Sequence, residues 1–174
     1  MGFTPFFSTT IEMFPPATML MRDFAQIGLD ITRTKVPLKM AIDNVVIPSI
    51  RQNFEQQGRP NKWKALAEET QYQRIAEGYN GSEPILQRTG TLRKVATQKN
   101  AWSVNDGEAR MDKLSDRAFY GVFHQFGAVG KSVLPARPFA MLQKHDEVLI
   151  ELQFEIWLTE RFAAHGFRPG LGVL

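Results

Sequence analysis

The stretch "PLKMAIDNVVIPSIRQNFEQQG", Pro37 to Gly58, contains the clearest helical pattern in the chain. Its apolar residues recur at the i, i+4, i+7 and i+8 spacing that places them on one face of a helix. They are Leu38, Ile42, Val45, Val46, Ile50 and Phe54. Pro37 is typical of a helix start and Gly58 of a helix end, whereas Pro48 removes a backbone donor and predicts a kink or interruption. The helical pattern as a whole runs from Thr18 to about residue 57.

Three more helices are predicted downstream of this stretch. Residues 65–77 form one, and a last helix opens at Asp146 and ends at Gly166. Between them, Ser115 predicts the cap of a short helix over residues 116–126.

A small β region is predicted between the helices. The segments "LRKVATQK" and "AWSVN" are predicted strands, Asp106-Gly107 is a predicted hairpin turn, and "EARMDK" is the returning strand. The segment "RPFAMLQ" predicts an edge strand because it contains Pro138. The predicted fold class is therefore α+β, with a small antiparallel β-sheet packed against long N-terminal and C-terminal helices and an extended N-terminal arm.

The chain divides into an arm, one domain and a tail. Residues 1–20 are predicted to be an extended apolar arm, because prolines block regular structure there while aromatic residues argue against free disorder. The aromatic residues expected to contact a neighbour are Phe3, Phe6, Phe7 and Phe14. Residues 21–165 are a predicted single domain, and residues 166–174 are a predicted irregular tail rich in Gly and Pro.

The composition is that of an ordinary globular domain. Of the 174 residues, 43% are hydrophobic and 22% are charged, which is enough apolar material for a core. The net charge is only +3, whereas a dedicated nucleic-acid binder usually has a clearer basic stripe. The absence of cysteine excludes disulfides and thiolate metal sites. No apolar run is long enough to predict a membrane span.

No motif of a known catalytic, cofactor or metal site is present, so none of these three kinds of site is predicted. His124, His145 and His165 do not share a metal-ligand spacing. His124 lies among aromatic residues, where a lowered pKa would let it act as a base. A general base still needs a nucleophile and an orienting partner, so a structural histidine is the preferred interpretation.

Two clusters of basic residues leave a second alternative open. Arg88, Arg93, Lys94 and Lys99 form one cluster, and Arg59, Lys62 and Lys64 flank Trp63 in the other. They are either a solvated face or contacts to phosphate, and the solvated face is preferred. Trp63 is expected to be a core anchor for its loop rather than a platform for base stacking.

Four segments in order resemble a known family. They are "NFEQQGRPNKWKALAEET" (53–70), "ILQRTGTLRK" (85–94), "FYGVFHQFGA" (119–128) and "LPARPFAML" (134–142). This succession resembles the phage virion morphogenesis family, also called the tail completion family, of Mu-like tailed phages. The match spans roughly residues 38–160, and an apolar segment of about 20 residues precedes the first helix, where the family often begins.

The resemblance implies local roles for three groups of residues. A turn into the sheet is implied for Leu86, Thr89, Gly90, Leu92 and Arg93. A helix and its cap before a loop are implied for Tyr120, His124, Gln125, Phe126 and Gly127. The start of the next strand is implied for Pro135, Arg137, Pro138 and Phe139.

Physical reasoning adds expectations for three of these residues. His124 is expected to fix the glycine loop through its ring nitrogens. Arg137 is expected to pair with a carboxylate or to cap carbonyls, because its planar fork suits buried pairing. Phe139 is expected to belong to the core. Together, the structural or subunit-interface candidates are Trp63, Leu92, Arg93, Tyr120, His124, Phe126, Gly127, Arg137 and Phe139.

For function the resemblance implies assembly without enzymatic activity or a cofactor. The expected protein is a tail terminator or tail completion protein that forms a ring at the head–tail junction or the head-proximal tail end. Its expected partners are other copies of itself, with a hexamer preferred over a dodecamer, and adjacent tail-tube, sheath or neck proteins. Double-stranded DNA would pass without sequence recognition, and no membrane is involved. The expected location is the virion, after assembly in the host cytoplasm. A neck or head-completion connector protein and a DNA-binding packaging factor are the alternatives.

Overall fold

The structure of the protein is a computed structural model that describes residues 17–129 and 133–167. Its helices are α1 (Ala17–Ile31), α2 (Lys35–Ala41), a π-helical turn (Ile42–Val46), α3 (Ile47–Glu55), α4 (Glu68–Ala76), α5 (Thr91–Ala96), a 3₁₀ turn (Lys99–Ala101), α6 (Leu114–Arg117), α7 (Gly121–Phe126) and α8 (Lys144–Ala164). Its strands are β1 (Trp102–Asn105) and β2 (Glu108–Met111). The predicted α+β fold class is confirmed.

Helices α2 and α3 form one continuous helical segment, with the π-helical turn between them. Pro48 is the second residue of α3, with only Ile47 between it and that turn. A proline has no N–H to donate, and its ring clashes with the carbonyl of the fourth residue before it, which here is Asn44. Widening the preceding turn removes the clash, since a π-helical turn often absorbs such an interruption. The interruption predicted at Pro48 is confirmed in the form of this π-helical turn, and the helical segment itself stays continuous.

The sheet is a single antiparallel hairpin in which Trp102 pairs with Met111 and Asn105 pairs with Glu108. The predicted turn at Asp106-Gly107 is confirmed. The turn also closes onto the start of α2, because Asp106 Oδ1 accepts a hydrogen bond of 2.8 Å from the Lys35 backbone N–H. The hairpin is therefore tied to the long helical segment.

The core lies between the α2–α3 segment, α5 and the chain around Phe139. The inner face of the hairpin and Ile150 of α8 pack against it. Helix α8 lies along α2, and α1 contacts α8 near its end. There His165 Nε2 and Asp30 Oδ2 are 3.4 Å apart, and the rings of Phe24 and Phe167 are 4.9 Å apart.

Two predicted strands are wrong. The segment "LRKVATQK" is helix α5, because Leu92, Val95 and Ala96 are spaced to reach the core together on one helical face. Leu92 and Arg93 consequently belong to a helix, not to a turn into the sheet. The segment "RPFAMLQ" has no strand partner among the described residues, since side chains of other segments bind its backbone groups.

Several boundaries also differ from the predictions, including those of α4 and α8 by up to three residues. The helix predicted over residues 116–126 is two short helices, α6 and α7, separated at residues 118–120. Helix α6 begins at Leu114, so Ser115 lies inside it and does not precede it. Residues 17–20, assigned to the arm, are the first turn of α1. The rest of the predicted arm and residues 168–174 of the predicted tail lie outside the described residues, as do Phe3, Phe6, Phe7 and Phe14.

Candidate functional site

The four segments that carry the family resemblance meet around three buried aromatic rings. Phe54 lies 5.7 Å from Trp63 in an edge-on arrangement and 5.6 Å from Phe139. Trp63 Nε1 donates a hydrogen bond of 3.2 Å to the Pro138 carbonyl. Trp63 and Phe139 are thus core residues, as predicted.

The segment around Phe139 is held by side chains from both directions. Gln125 Oε1 accepts hydrogen bonds from the backbone N–H groups of Phe139 and Ala140, at 3.1 and 3.0 Å. Asn53 Nδ2 donates to the carbonyls of Phe139 and Met141, each at 2.8 Å. This satisfies the backbone without a β-ladder, which explains why no strand forms.

Arg137 is buried and caps carbonyls. Its Nε and Nη2 donate to the carbonyls of Lys64 and Ala65, at 2.9 and 3.1 Å. Arg137 was expected to pair with a carboxylate or to cap carbonyls, and the structure confirms that it caps carbonyls. These bonds hold the chain after Trp63 against the segment that begins at Arg137.

A polar network links the same region to α8. The Arg59 guanidinium donates to Asn53 Oδ1 at 2.8 Å and to Ser49 Oγ at 2.6 Å, and it lies 3.7 Å from Asp146 Oδ2. Ser49 Oγ in turn donates to Asp146 Oδ2 at 2.5 Å. Asp146 also accepts from the Gln143 backbone N–H at the start of α8. Buried polar groups are stable when each has a partner, and the side chains of Asn53, Ser49, Arg59 and Asp146 have partners here.

Helix α7 has an outer face without a covering element among the described residues. Phe126 is 77% exposed and Phe119 is 64% exposed. Val122 and Phe123 are also exposed, and the spacing of Val122, Phe123 and Phe126 places these three on one side of α7, whereas Phe119 precedes the helix by two residues. Val129 and Val133 extend the patch into the following loop. We call these six residues the α7 face. Contiguous exposed apolar residues of this kind mark interaction surfaces.

The other side of α7 borders a cleft of about 560 Å³. Its lining residues are Leu66, Thr70, Arg74, Leu86, Arg88, Thr89, Thr91, Arg117, Tyr120, His124 and Arg137. Four of them are arginines, and none of these lining residues is acidic. Arg88 is partly neutralised by Glu77, whose Oε2 lies 2.9 Å from Arg88 Nη1. We call this the arginine cleft.

Two nitrogens at the arginine cleft lack partners among the described residues. Arg74 is 5% exposed, and its Nη2 donates to the Pro84 carbonyl at 3.2 Å, but its Nε is buried without an acceptor. His124 Nδ1 is also buried and unpaired. Burial lowers the pKa of His124 below its ordinary value, and the charge of Arg137 lowers it further. A cleft with these groups is suited to an anionic ligand.

The expectation that the ring nitrogens of His124 fix the glycine loop is not supported for Nδ1. The loop is held through the backbone instead: the Arg137 N–H donates to the His124 carbonyl at 2.6 Å, and Ala128 pairs with Leu134. Gly127 has φ +77°, and an added Cβ would lie 2.9 Å from the Leu134 carbonyl oxygen. Glycine is therefore required at this corner.

The remaining predicted candidates divide by environment. Leu92 is buried, and Arg93 joins α5 to α3 through Glu55 Oε1 at 2.8 Å. Tyr120 lies at the arginine cleft with its ring edge-on to His124 at 6.0 Å. Of the nine candidates, Phe126 has by far the most exposed large apolar side chain, and it lies on the α7 face.

Sequence reasoning assigned no role to Asn53 or Arg74, named Asp146 only as the start of the last helix, and placed Arg59 only in a basic cluster. Asn53 and Arg59 lie inside a quoted family segment, so their positions could have been singled out there. Arg74 and Asp146 gave no such signal, because helix surfaces commonly carry charged residues. Only the tertiary arrangement shows that these two are buried.

The described residues contain no cluster of three or more His, Asp or Glu side chains that could hold a metal ion. Within the same ranges no helix has the length and apolar character needed to cross a membrane. The chain matches no protein-family model, no curated protein and no solved structure.

Proposed function

We propose that this protein is a structural virion component that forms a homo-oligomeric ring at the head–tail junction or the head-proximal end of a phage tail. The observation that carries the proposal is the α7 face, which leaves Phe119, Phe123 and Phe126 exposed beside a well-packed core. The chain buries the rings of Phe54 and Phe139, so the folding of the monomer does not explain why the other three rings are exposed. Covering them with another subunit is the simplest account.

The packing of the four family segments supports the same proposal. Asn53, Trp63, Gln125 and Arg137 come from three of these segments, and each bonds the backbone of another segment. The fourth segment joins through Gln87 Nε2, which donates to the Phe54 carbonyl at 3.1 Å. Residues whose order suggested the family are thus the residues that build one structural unit.

The proposal assigns no enzymatic activity to the chain. His124 is the residue that sequence analysis considered for catalysis. Its Nδ1 has no hydrogen-bond partner among the described residues, so no such bond orients the imidazole. We assign His124 a packing role between α7 and the arginine cleft, and we place the finished protein in the virion after assembly in the host cytoplasm.

Negative-stain microscopy of a lysate from a phage that lacks this gene tests the proposed function. Overlong tails beside unjoined heads are expected for a tail terminator. Tails of normal length beside separate heads would instead identify a neck or head-completion protein. Intact virions would refute the junction role altogether.

The arginine cleft favours one second candidate, a DNA-binding packaging factor. Arginines that contact phosphates make affinity fall steeply with salt. Titration of the isolated protein with a duplex oligonucleotide at two salt concentrations tests this candidate. Binding that weakens strongly with salt and is lost in Arg117→Glu would favour it over the ring.

A further inference from the structure

We infer that the arginine cleft receives the acidic row of helix α8 from a second copy of this chain, and that the α7 face packs against the apolar row beside it. The inference rests on the proposed ring and identifies its two contacting surfaces. Neither surface is satisfied by the described residues alone, since no acidic residue lines the cleft and the α8 rows lack a cover among those residues.

Helix α8 carries two neighbouring rows on its outer side. Glu147, Glu151 and Glu155 are exposed and follow one another at intervals of four residues. The second row, Val148, Leu152 and Ile156, has the same interval and is 56%, 42% and 40% exposed. The buried residues of α8 include Asp146 and Trp157, which lie on the opposite side of the helix. No ion pair joins the three glutamates to another described residue.

The surface that would receive α8 has a basic part, the arginine cleft, and an apolar part, the α7 face. Arg117 lies at the end of α6 and is exposed, and no hydrogen bond or ion pair to another described residue satisfies its guanidinium. Arg74 contributes a buried Nε that has no acceptor within residues 17–129 and 133–167. The α7 face adjoins this cleft, because Tyr120 and His124 line the cleft from the other side of the same short helix. Basic and apolar surfaces therefore lie side by side, as the acidic and apolar rows do on α8.

The dimensions of the two surfaces are also compatible. Eight residues of helix separate Val148 from Ile156, which is about 12 Å at 1.5 Å per residue. Helix α7, Gly121–Phe126, is about 9 Å long by the same rise per residue, and Phe119 lies just before its start. A contact of this kind joins two different surfaces of the same chain. Such heterologous contacts, repeated from copy to copy, close into rings.

A small anion or a DNA phosphate would satisfy the arginine cleft but would leave the α7 face and the apolar row of α8 uncovered. A second copy covers all of them at once, and the charges of the two surfaces are opposite. Opposite charges across an interface also fix the register of association. For this reason we assign the occupant to α8 of a second copy.

Disulfide trapping tests the pairing directly, because the chain contains no cysteine. Full-length Arg117→Cys and Glu151→Cys proteins are mixed and oxidised, and covalent dimers are counted on a non-reducing gel. The matched control replaces Glu151→Cys with Glu108→Cys, since Glu108 is an exposed acidic residue that belongs to β2 and not to α8. We expect at least about tenfold more mixed dimer than in the control, because a docked pair has a high effective concentration. Equal yields in the two mixtures would overturn the pairing.

Charge reversal provides a second readout that does not depend on cysteine chemistry. Arg117→Glu and Glu151→Arg should each weaken self-association at least about tenfold, because like charges then face one another. Mixing or combining the two reversals should restore association. Two single variants that associate like the wild type, or a combination that stays dissociated, would contradict the inference.

The two proposals can fail separately. Salt-dependent binding of a duplex oligonucleotide that is lost in Arg117→Glu, unchanged in Glu151→Arg and accompanied by no specific cross-link would assign the cleft to phosphate and overturn the pairing. Unjoined heads in the gene-deletion lysate, combined with equal cross-link yields, would retain the junction role and reject only this pair of surfaces. Intact virions combined with a specific cross-link would reject the junction role and retain this pair of contacting surfaces.

Discussion

The side chains of the buried network around α3 and those on the outer side of α7 differ in burial and in hydrogen bonding. Asn53, Ser49 and Arg59 have their polar groups bonded within the chain, and Phe54 is completely buried. On α7, Phe126 is largely exposed, and the Nδ1 atom of His124 is buried without a partner among the residues that the structure describes. The comparison indicates that α3 supplies stability, whereas α7 is shaped for a contact outside the chain. Substitutions in the two regions should therefore affect different measurements.

The largest expected effect is on stability at Asn53. Replacing it in Asn53→Leu removes the donor to two carbonyls and the acceptor of Arg59, all of them at a fully buried site. The free energy of unfolding should fall by about 3–4 kcal/mol, since each buried polar group left unpaired costs about 1–3 kcal/mol. Urea unfolding measures it. Asn105→Leu on the exposed side of β1 is the matched control, and a loss below about 1 kcal/mol at Asn53 would show that the network is dispensable.

The next effect is expected at Arg137. In Arg137→Lys the charge remains, but one ammonium cannot reproduce both bonds to the Lys64 and Ala65 carbonyls. We expect a loss of about 2–3 kcal/mol in the free energy of unfolding. The same change at exposed Arg110 should be nearly neutral. Similar values at both positions would mean that the two capping bonds do not matter.

Substitution of Gly127 tests whether the close approach of the Leu134 carbonyl oxygen makes glycine necessary at this corner. In Gly127→Ala a methyl group would meet the Leu134 carbonyl oxygen in addition to the strain of a positive φ. Gly107→Ala is a useful control, because Gly107 has φ +84° but no atom within 4 Å of an added Cβ. The first variant should be about 2 kcal/mol less stable than the wild type, and the second only about 1 kcal/mol less stable. Thermal unfolding distinguishes them, and equal losses would remove the steric argument.

A smaller effect should appear in the pH dependence of stability. Burial lowers the pKa of His124 in the folded state, so the unfolded chain binds the proton first. The free energy of unfolding should consequently fall as the pH drops below about 6.5, the usual pKa of histidine. His124→Gln should reduce this fall between pH 7 and 5. An unchanged pH profile in urea titrations would show that His124 does not titrate differently in the two states.

The smallest expected effect on stability is at the outer side of α7. Phe126→Ser and Phe123→Ser remove exposed side chains, so each should change the free energy of unfolding by less than about 0.5 kcal/mol. Urea unfolding at low protein concentration measures the monomer. A loss of 2 kcal/mol or more in either variant would place that ring in the monomer core and weaken the contrast with α3.

The contrast also explains which parts of the structure could be predicted from sequence. The α2–α3 helix, the interruption at Pro48 and the hairpin at Asp106-Gly107 follow from local patterns, and all three are present. The segment "LRKVATQK" was mistaken for a strand, since its Val95 and Thr97 are β-branched and the six residues of α5 are too few to show a clear period. Tertiary packing of Leu92 and Val95 decides that segment.

The candidate site was less accessible to sequence reasoning. Trp63, Arg137 and Phe139 were assigned structural roles that the contacts confirm. The arginine cleft was not foreseen, because Arg74, Arg117 and Arg137 come from separate elements, and only their packing brings them together. The segment "RPFAMLQ" around Phe139 was also mistaken for a strand. Its backbone bonds Asn53 and Gln125, and no local pattern predicts a side chain so distant in sequence.

Sedimentation velocity of the full chain over a series of protein concentrations tests the central claim, that α7 is an assembly surface and not part of the folding core. The account predicts that the wild type forms an oligomer of fixed mass and that Phe123→Ser/Phe126→Ser stays monomeric with a nearly unchanged free energy of unfolding. A double variant that forms the same oligomer as the wild type, or a wild type that remains monomeric at the highest concentration, would contradict it.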